Sequence, residues 1–131
     1  GPLVAVLNAD DADHESCRHL LEHERGPLIV PAPVLTEVCY LVGTRLNAQV
    51  EVAFLDSLAT GELQLEATTS TDLARMADLV RTYADFPLGA ADASVIAIAE
   101  RLHVTRIATI DHRHFRAVRP THCHAFELFP K

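Results

Sequence analysis

A helix that is apolar all round must be covered all round, and residues Ala90 to Leu102 spell such a helix, with Ala93, Val95, Ile96, Ala97, Ile98 and Ala99 in near-continuous succession. Helices packed only on one side cannot supply that cover, so the chain needs layers. The flanking sequence provides them. Leu28 to Val30, Leu63 to Glu66, Arg106 to Ile110 and Ala125 to Phe129 read as short buried strands, the last at an edge. Helical spacing predicts elements from His14 to Arg25, with Cys17, Leu20 and Leu21 inward, from Pro33 toward Leu46, from an Asn47 cap to Gly61, and from Ser70 to Tyr83. The last of these carries Leu73, Met76, Ala77 and Val80 on its expected inner face. Leu3 to Leu7 is too short to choose between strand and helix, and a short helix is expected after Asp111.

Helices alternating with short aliphatic strands predict a three-layer α/β domain with a mainly parallel sheet. Its ligands belong beyond the carboxyl ends of the strands. The 131 residues fit one domain, 1–131, and 49% apolar with 22% charged residues excludes a disordered chain. No apolar run approaches the roughly 20 residues of a membrane span, so a cytoplasmic location is expected. Cys17, Cys39 and Cys123 are odd in number and lack CxxC spacing, which argues for free thiols.

Net charge is −7, but it is unevenly placed. Residues 1–100 hold five Arg against sixteen acids, whereas residues 101–131 hold five Arg and one Lys against two acids, with five of the eight His. A phosphate-bearing partner would be drawn to that basic tail.

Three acids stand in unusual company. Glu37 shares a helix face with Val34 and Leu41, Asp92 opens the apolar helix as the one ionisable group between Ala90 and Ala99, and Asp111 directly follows a strand. Each has an ordinary alternative as a helix cap or first-turn acid. Together they sit on elements whose ends can meet at one sheet edge, where carboxylates suit Mg²⁺ or Mn²⁺. A bound cation of that kind can activate water against a phosphodiester. No GxxxxGK[ST] or GxGxxG loop is present.

The order Thr36-Glu37-Val38, then Ala91-Asp92-Ala93, then Thr109-Ile110-Asp111 with Phe115 resembles the PIN domain, and more narrowly the VapC toxins of bacterial toxin–antitoxin pairs. The resemblance covers essentially the whole chain. It implies a PIN-like three-layer fold and a Mg²⁺- or Mn²⁺-dependent endoribonuclease with Glu37, Asp92 and Asp111 as metal ligands and Thr109 as a supporting hydroxyl. It also implies a homodimer, transfer or ribosomal RNA as substrate, and a cognate VapB-type antitoxin. The family begins with a strand ending in Asp-Thr or Asp-Ser, whereas Leu3-Val4-Ala5-Val6-Leu7 resembles the segment just after that strand. The first strand and first acid are therefore expected to be missing, leaving weak metal binding and poor cleavage. Arg113 stands where some relatives carry a further acid.

Arg113 and Arg116 are the expected RNA contacts, since guanidinium groups suit bidentate phosphate recognition. His112-x-His114 and His122-Cys123-His124 offer a rival zinc site of non-standard spacing. A non-catalytic PIN-like module that binds protein or RNA is the alternative function. The Val- and Leu-rich helices from Pro33 to Gly61 are the expected dimer or antitoxin surface.

Overall fold

The computed structural model of the chain describes residues 2–130. In chain order the elements are α1 (Pro2–Leu7), α2 (His14–His23), β1 (Ile29–Pro31), α3 (Ala32–Arg45), α4 (Ala48–Ala59), β2 (Gln64–Glu66), α5 (Ser70–Thr82), α6 (Ala90–Leu102), β3 (Arg106–Ala108), α7 (His112–Ala117) and β4 (Glu127–Phe129). Leu3 to Leu7 resolves as helix. Pro33 sits in the first turn of α3, where its missing N–H costs nothing. Asn47 caps α4 by accepting the Val50 N–H at 3.0 Å.

The expected single sheet is two parallel pairs, β1 with β2 and β3 with β4. Two cores accompany them. Val4, Val30, Val38, Val42, Phe54 and Leu63 form one, while Met76, Leu79, Leu88, Ile96, Ile107 and Phe115 lie in the other. Helix α6 belongs to the second core and also packs against α3 of the first, so it ties the halves together. Its residues from Ala93 to Ala99 are buried, apart from partly buried Val95, as its composition requires.

One expectation about a helix face is corrected. Along α5 the buried positions are Asp72, Met76 and Leu79, whereas Leu73, Ala77 and Val80 are exposed. The cause is electrostatic. Asp72 forms a capping box with Thr69 and also takes the Arg101 guanidinium, Nε at 3.0 Å and Nη2 at 3.0 Å, which turns that stripe toward α6. Along α6, Glu100 is buried despite its charge. Arg75 grips it with Nε at 2.8 Å and Nη2 at 3.0 Å, and the Thr121 N–H adds a bond of 2.9 Å. Burial pushes both carboxyls upward, but the hydrogen bonds from Arg101 and Thr69 to Asp72, and from Arg75 and Thr121 to Glu100, hold each below its usual value.

Candidate active site

Asp92 lies in the first turn of α6 and Asp111 at the N-cap position of α7, just beyond the carboxyl end of β3. Asp111 makes no side-chain capping bond, so its ordinary role is unused. Its carboxylate turns instead to His114, Oδ2 standing 3.2 Å from Nδ1, and the same nitrogen lies 3.3 Å from Asp92 Oδ2. One imidazole therefore bridges two carboxylates from different elements. With both acids ionised, the bridging Nδ1 is the protonated nitrogen, since carboxylates only accept. Phe86 meets the His114 ring edge-on, with ring centres 6.2 Å apart.

Burial lifts the Asp92 carboxyl above its usual range; His114 opposes that rise and the Asp111 charge adds to it. Thr109 is buried and accepts the Asp111 backbone N–H on its hydroxyl at 3.0 Å, fixing the turn that presents Asp111. The sequence flagged Thr109 as a supporting hydroxyl, and the turn bond is the contact it makes.

Glu37 is placed differently. It is exposed on α3, and among the described residues no hydrogen bond or ion pair joins it to Asp92 or Asp111. The structure joins Asp92 and Asp111 through one imidazole, while Glu37 lines a cleft together with Val95 of α6 and Ala108 of β3. His114, which the sequence treated as a possible zinc ligand, supplies that imidazole. Its signal was the i+3 spacing from Asp111, which puts the two side chains on one face. Arg113 and Arg116 are exposed on α7 beside it, Arg116 Nη2 standing 3.5 Å from His112 Nδ1.

Two of the candidate zinc donors are engaged by backbone carbonyls. His122 Nε2 is 2.6 Å from the Val104 carbonyl oxygen, and the Cys123 thiol donates to the Ala125 carbonyl at 3.5 Å. Among the described residues, no three His, Cys, Asp or Glu side chains stand together as a metal cluster. The Asp92–Asp111 pair nevertheless suits a hard divalent cation, because two converging carboxylates offer oxygen donors and repel one another without a positive neighbour.

The PIN domain profile matches residues 2–119. Ribonuclease VapC26 of Mycobacterium tuberculosis (strain ATCC 25618 / H37Rv) is 33% identical over 128 residues, which cover 98% of this chain and 95% of that protein. The chain belongs to the VapC family of PIN-domain proteins. Fold-level likeness agrees with this. The crystal structure of Mycobacterium tuberculosis VapC20, a toxin that cleaves the sarcin-ricin loop, matches this PIN domain with a TM-score of 0.82 at 18% identity, covering 88% of this chain and 89% of that one. Two of the three motifs that carried the resemblance, those around Asp92 and Asp111, meet at the imidazole bridge of this VapC-type chain.

Proposed function

We propose that residues 1–131 act as one PIN domain, a metal-dependent endoribonuclease toxin of a type II toxin–antitoxin pair that hydrolyses RNA phosphodiester bonds. The observation that carries this reading is the convergence of Asp92 and Asp111 on His114, beyond the carboxyl end of β3 and beside an arginine-bearing helix. Asp92 and Asp111 would hold Mg²⁺ or Mn²⁺, with Glu37 as a third acid from α3. When bound, such a cation supplies charge that activates water and offsets the developing phosphate charge. The chain's own groups do the rest. Thr109 fixes the backbone at Asp111, the His114 N–H holds the two carboxylates facing each other, and Arg113 and Arg116 draw the RNA backbone toward them.

The substrate is transfer or ribosomal RNA, recognised by shape and a few loop contacts. The protein works in the cytoplasm, as a homodimer restrained by a VapB-type antitoxin; no described helix is long and apolar enough to cross a membrane. Tyr40, Val52 and Leu55 are exposed on α3 and α4, which favours that surface for protein partners.

Replacing Asp92 with Asn tests the function. RNA cleavage and growth inhibition should fall at least about a hundredfold while the melting curve stays cooperative. An unchanged phenotype would favour the non-catalytic binding module instead.

A further inference from the structure

Among the described residues, Phe86 is the one exposed phenylalanine ring. Phe54 and Phe115 are buried, Phe126 packs against the second core, and Phe129 lies under the Arg106 guanidinium. Exposure of a single ring means little by itself; its position gives it meaning. Phe86 stands on the loop between α5 and α6, shortly before Asp92. Its ring meets His114 edge-on with centres 6.2 Å apart, and His114 in turn joins Asp92 to Asp111. The open ring is therefore one side chain away from both carboxylates.

The ring is also held in place. The Phe86 N–H donates to the Tyr83 carbonyl at 3.2 Å, and the Tyr83 and Phe86 rings meet with centres 6.0 Å apart. Tyr83 is itself anchored, packing on the second core and accepting the Arg119 N–H on its hydroxyl at 3.1 Å. A ring fixed in this way loses little freedom when another ring stacks on it.

Charge is divided between the elements around the acids. From Tyr83 to Asp92 the sequence holds Asp85 and no Lys or Arg, so this loop does not attract a phosphate. Helix α7 carries exposed Arg113 and Arg116, while its own phenyl ring, Phe115, is buried. One element thus offers cations to a nucleic-acid backbone and the other offers an aromatic face, the combination by which single strands are held.

We propose that Phe86 is the stacking platform for one unpaired nucleobase of the RNA strand, the base next to the phosphate that the Asp92–Asp111 site attacks. The proposal rests on the ribonuclease reading above for its substrate, and adds the residue that selects an unstacked nucleotide there. A base inside a regular duplex has no free face, so the platform takes its base from a loop, bulge or end, and favours purines for their larger surface.

The chain has no tryptophan, so Phe86→Trp places a single emitter at the platform. Its emission is followed in EDTA, which stops metal-dependent cleavage, with three octamers of equal charge: oligoadenylate, oligouridylate and an abasic strand. Oligoadenylate should quench the emission more than oligouridylate, and the abasic strand should bind without quenching. By anisotropy of labelled oligoadenylate, Phe86→Leu should bind about tenfold more weakly than the parent, with the slope of log affinity against log salt unchanged, because stacking releases no counterions. Phe86→Tyr, which restores the aromatic face, should recover the lost affinity. Equal loss in the Leu and Tyr variants would overturn the proposal in favour of simple packing. So would parental affinity in Phe86→Leu, quenching by the abasic strand, or a parent that binds none of the octamers. If the parent cleaves RNA while Phe86→Leu binds as the parent does, this proposal falls and the ribonuclease reading stands; stacking at Phe86 by a parent that never cleaves does the reverse.

Discussion

Replacing Glu100 with Gln keeps the shape of a buried side chain but removes the charge that Arg75 grips. Glu100's side chain is 7% exposed and Arg75's is 30%, and the carboxylate accepts three hydrogen bonds, two from the guanidinium and one from the Thr121 N–H. Glutamine has one acceptor oxygen where the carboxylate has two, so its amide N–H₂ must face either Arg75 or Thr121, donor against donor. Charge-assisted bonds are worth roughly 1.5–3 kcal/mol each in such settings. Arg75 can regain water on its exposed side, which lowers the cost. The expected loss is about 2–3 kcal/mol, a large share of the stability typical of a domain this size. That corresponds to about 6–12 °C in melting temperature.

Urea unfolding followed by circular dichroism, at neutral pH and at about pH 3, checks both size and sign. The folded Glu100 carboxyl titrates below its ordinary value. Its stabilisation is therefore complete above the unfolded carboxylate range and is lost as pH falls through the folded value. The gap between parent and variant should be full at neutral pH and shrink in acid. A neutral-pH gap below about 0.5 kcal/mol, or a gap that survives undiminished in acid, would refute the assignment of Glu100 as a buried ionised anchor.

Asp92→Asn removes a carboxyl that burial pushes upward, so the variant should unfold no earlier than the parent at neutral pH while losing cleavage; an early melt would point to a structural role. Adding Mg²⁺ or Mn²⁺ should raise the melting temperature of the parent and leave the Asp92→Asn/Asp111→Asn double variant unmoved, and EDTA should reverse the rise. Arg113→Ala and Arg116→Ala should each weaken RNA binding and lower the slope of log affinity against log salt by about one, with little change in melting. Ile96→Ala, at a fully buried position, should cost about 2–5 kcal/mol in a urea melt.

Much of the scaffold was legible because it obeys local rules. Continuous apolarity marked α6, Asn47 announced its helix, and the order of helices and strands matches the observed one. The placement of Asp92 and Asp111 at element starts was also local, and it brought them near each other. What escaped was set by partners distant in sequence. Glu100 is buried because Arg75, 25 residues earlier, neutralises it, and nothing in its own helix records that. The pairing of strands was likewise non-local, so short aliphatic runs predicted strands without revealing that β1–β2 and β3–β4 stand as separate pairs. A shared apolar face says which side of its helix Glu37 lies on and nothing of where acids on other elements stand.

Asp72 completes the cap of α5 and holds Arg101 with the same carboxylate, so one group fixes both where that helix starts and how it is turned about its own axis. It acts as the zero mark of a screw. Each later residue is set at about 100° per step from that mark, which sends Met76 and Leu79 inward and leaves Leu73, Ala77 and Val80 along the outside. The apolar stripe that α5 shows to its surroundings is thus dictated by an ion pair on its hidden side. Drift at position 72 would rotate a surface that the residue itself never touches.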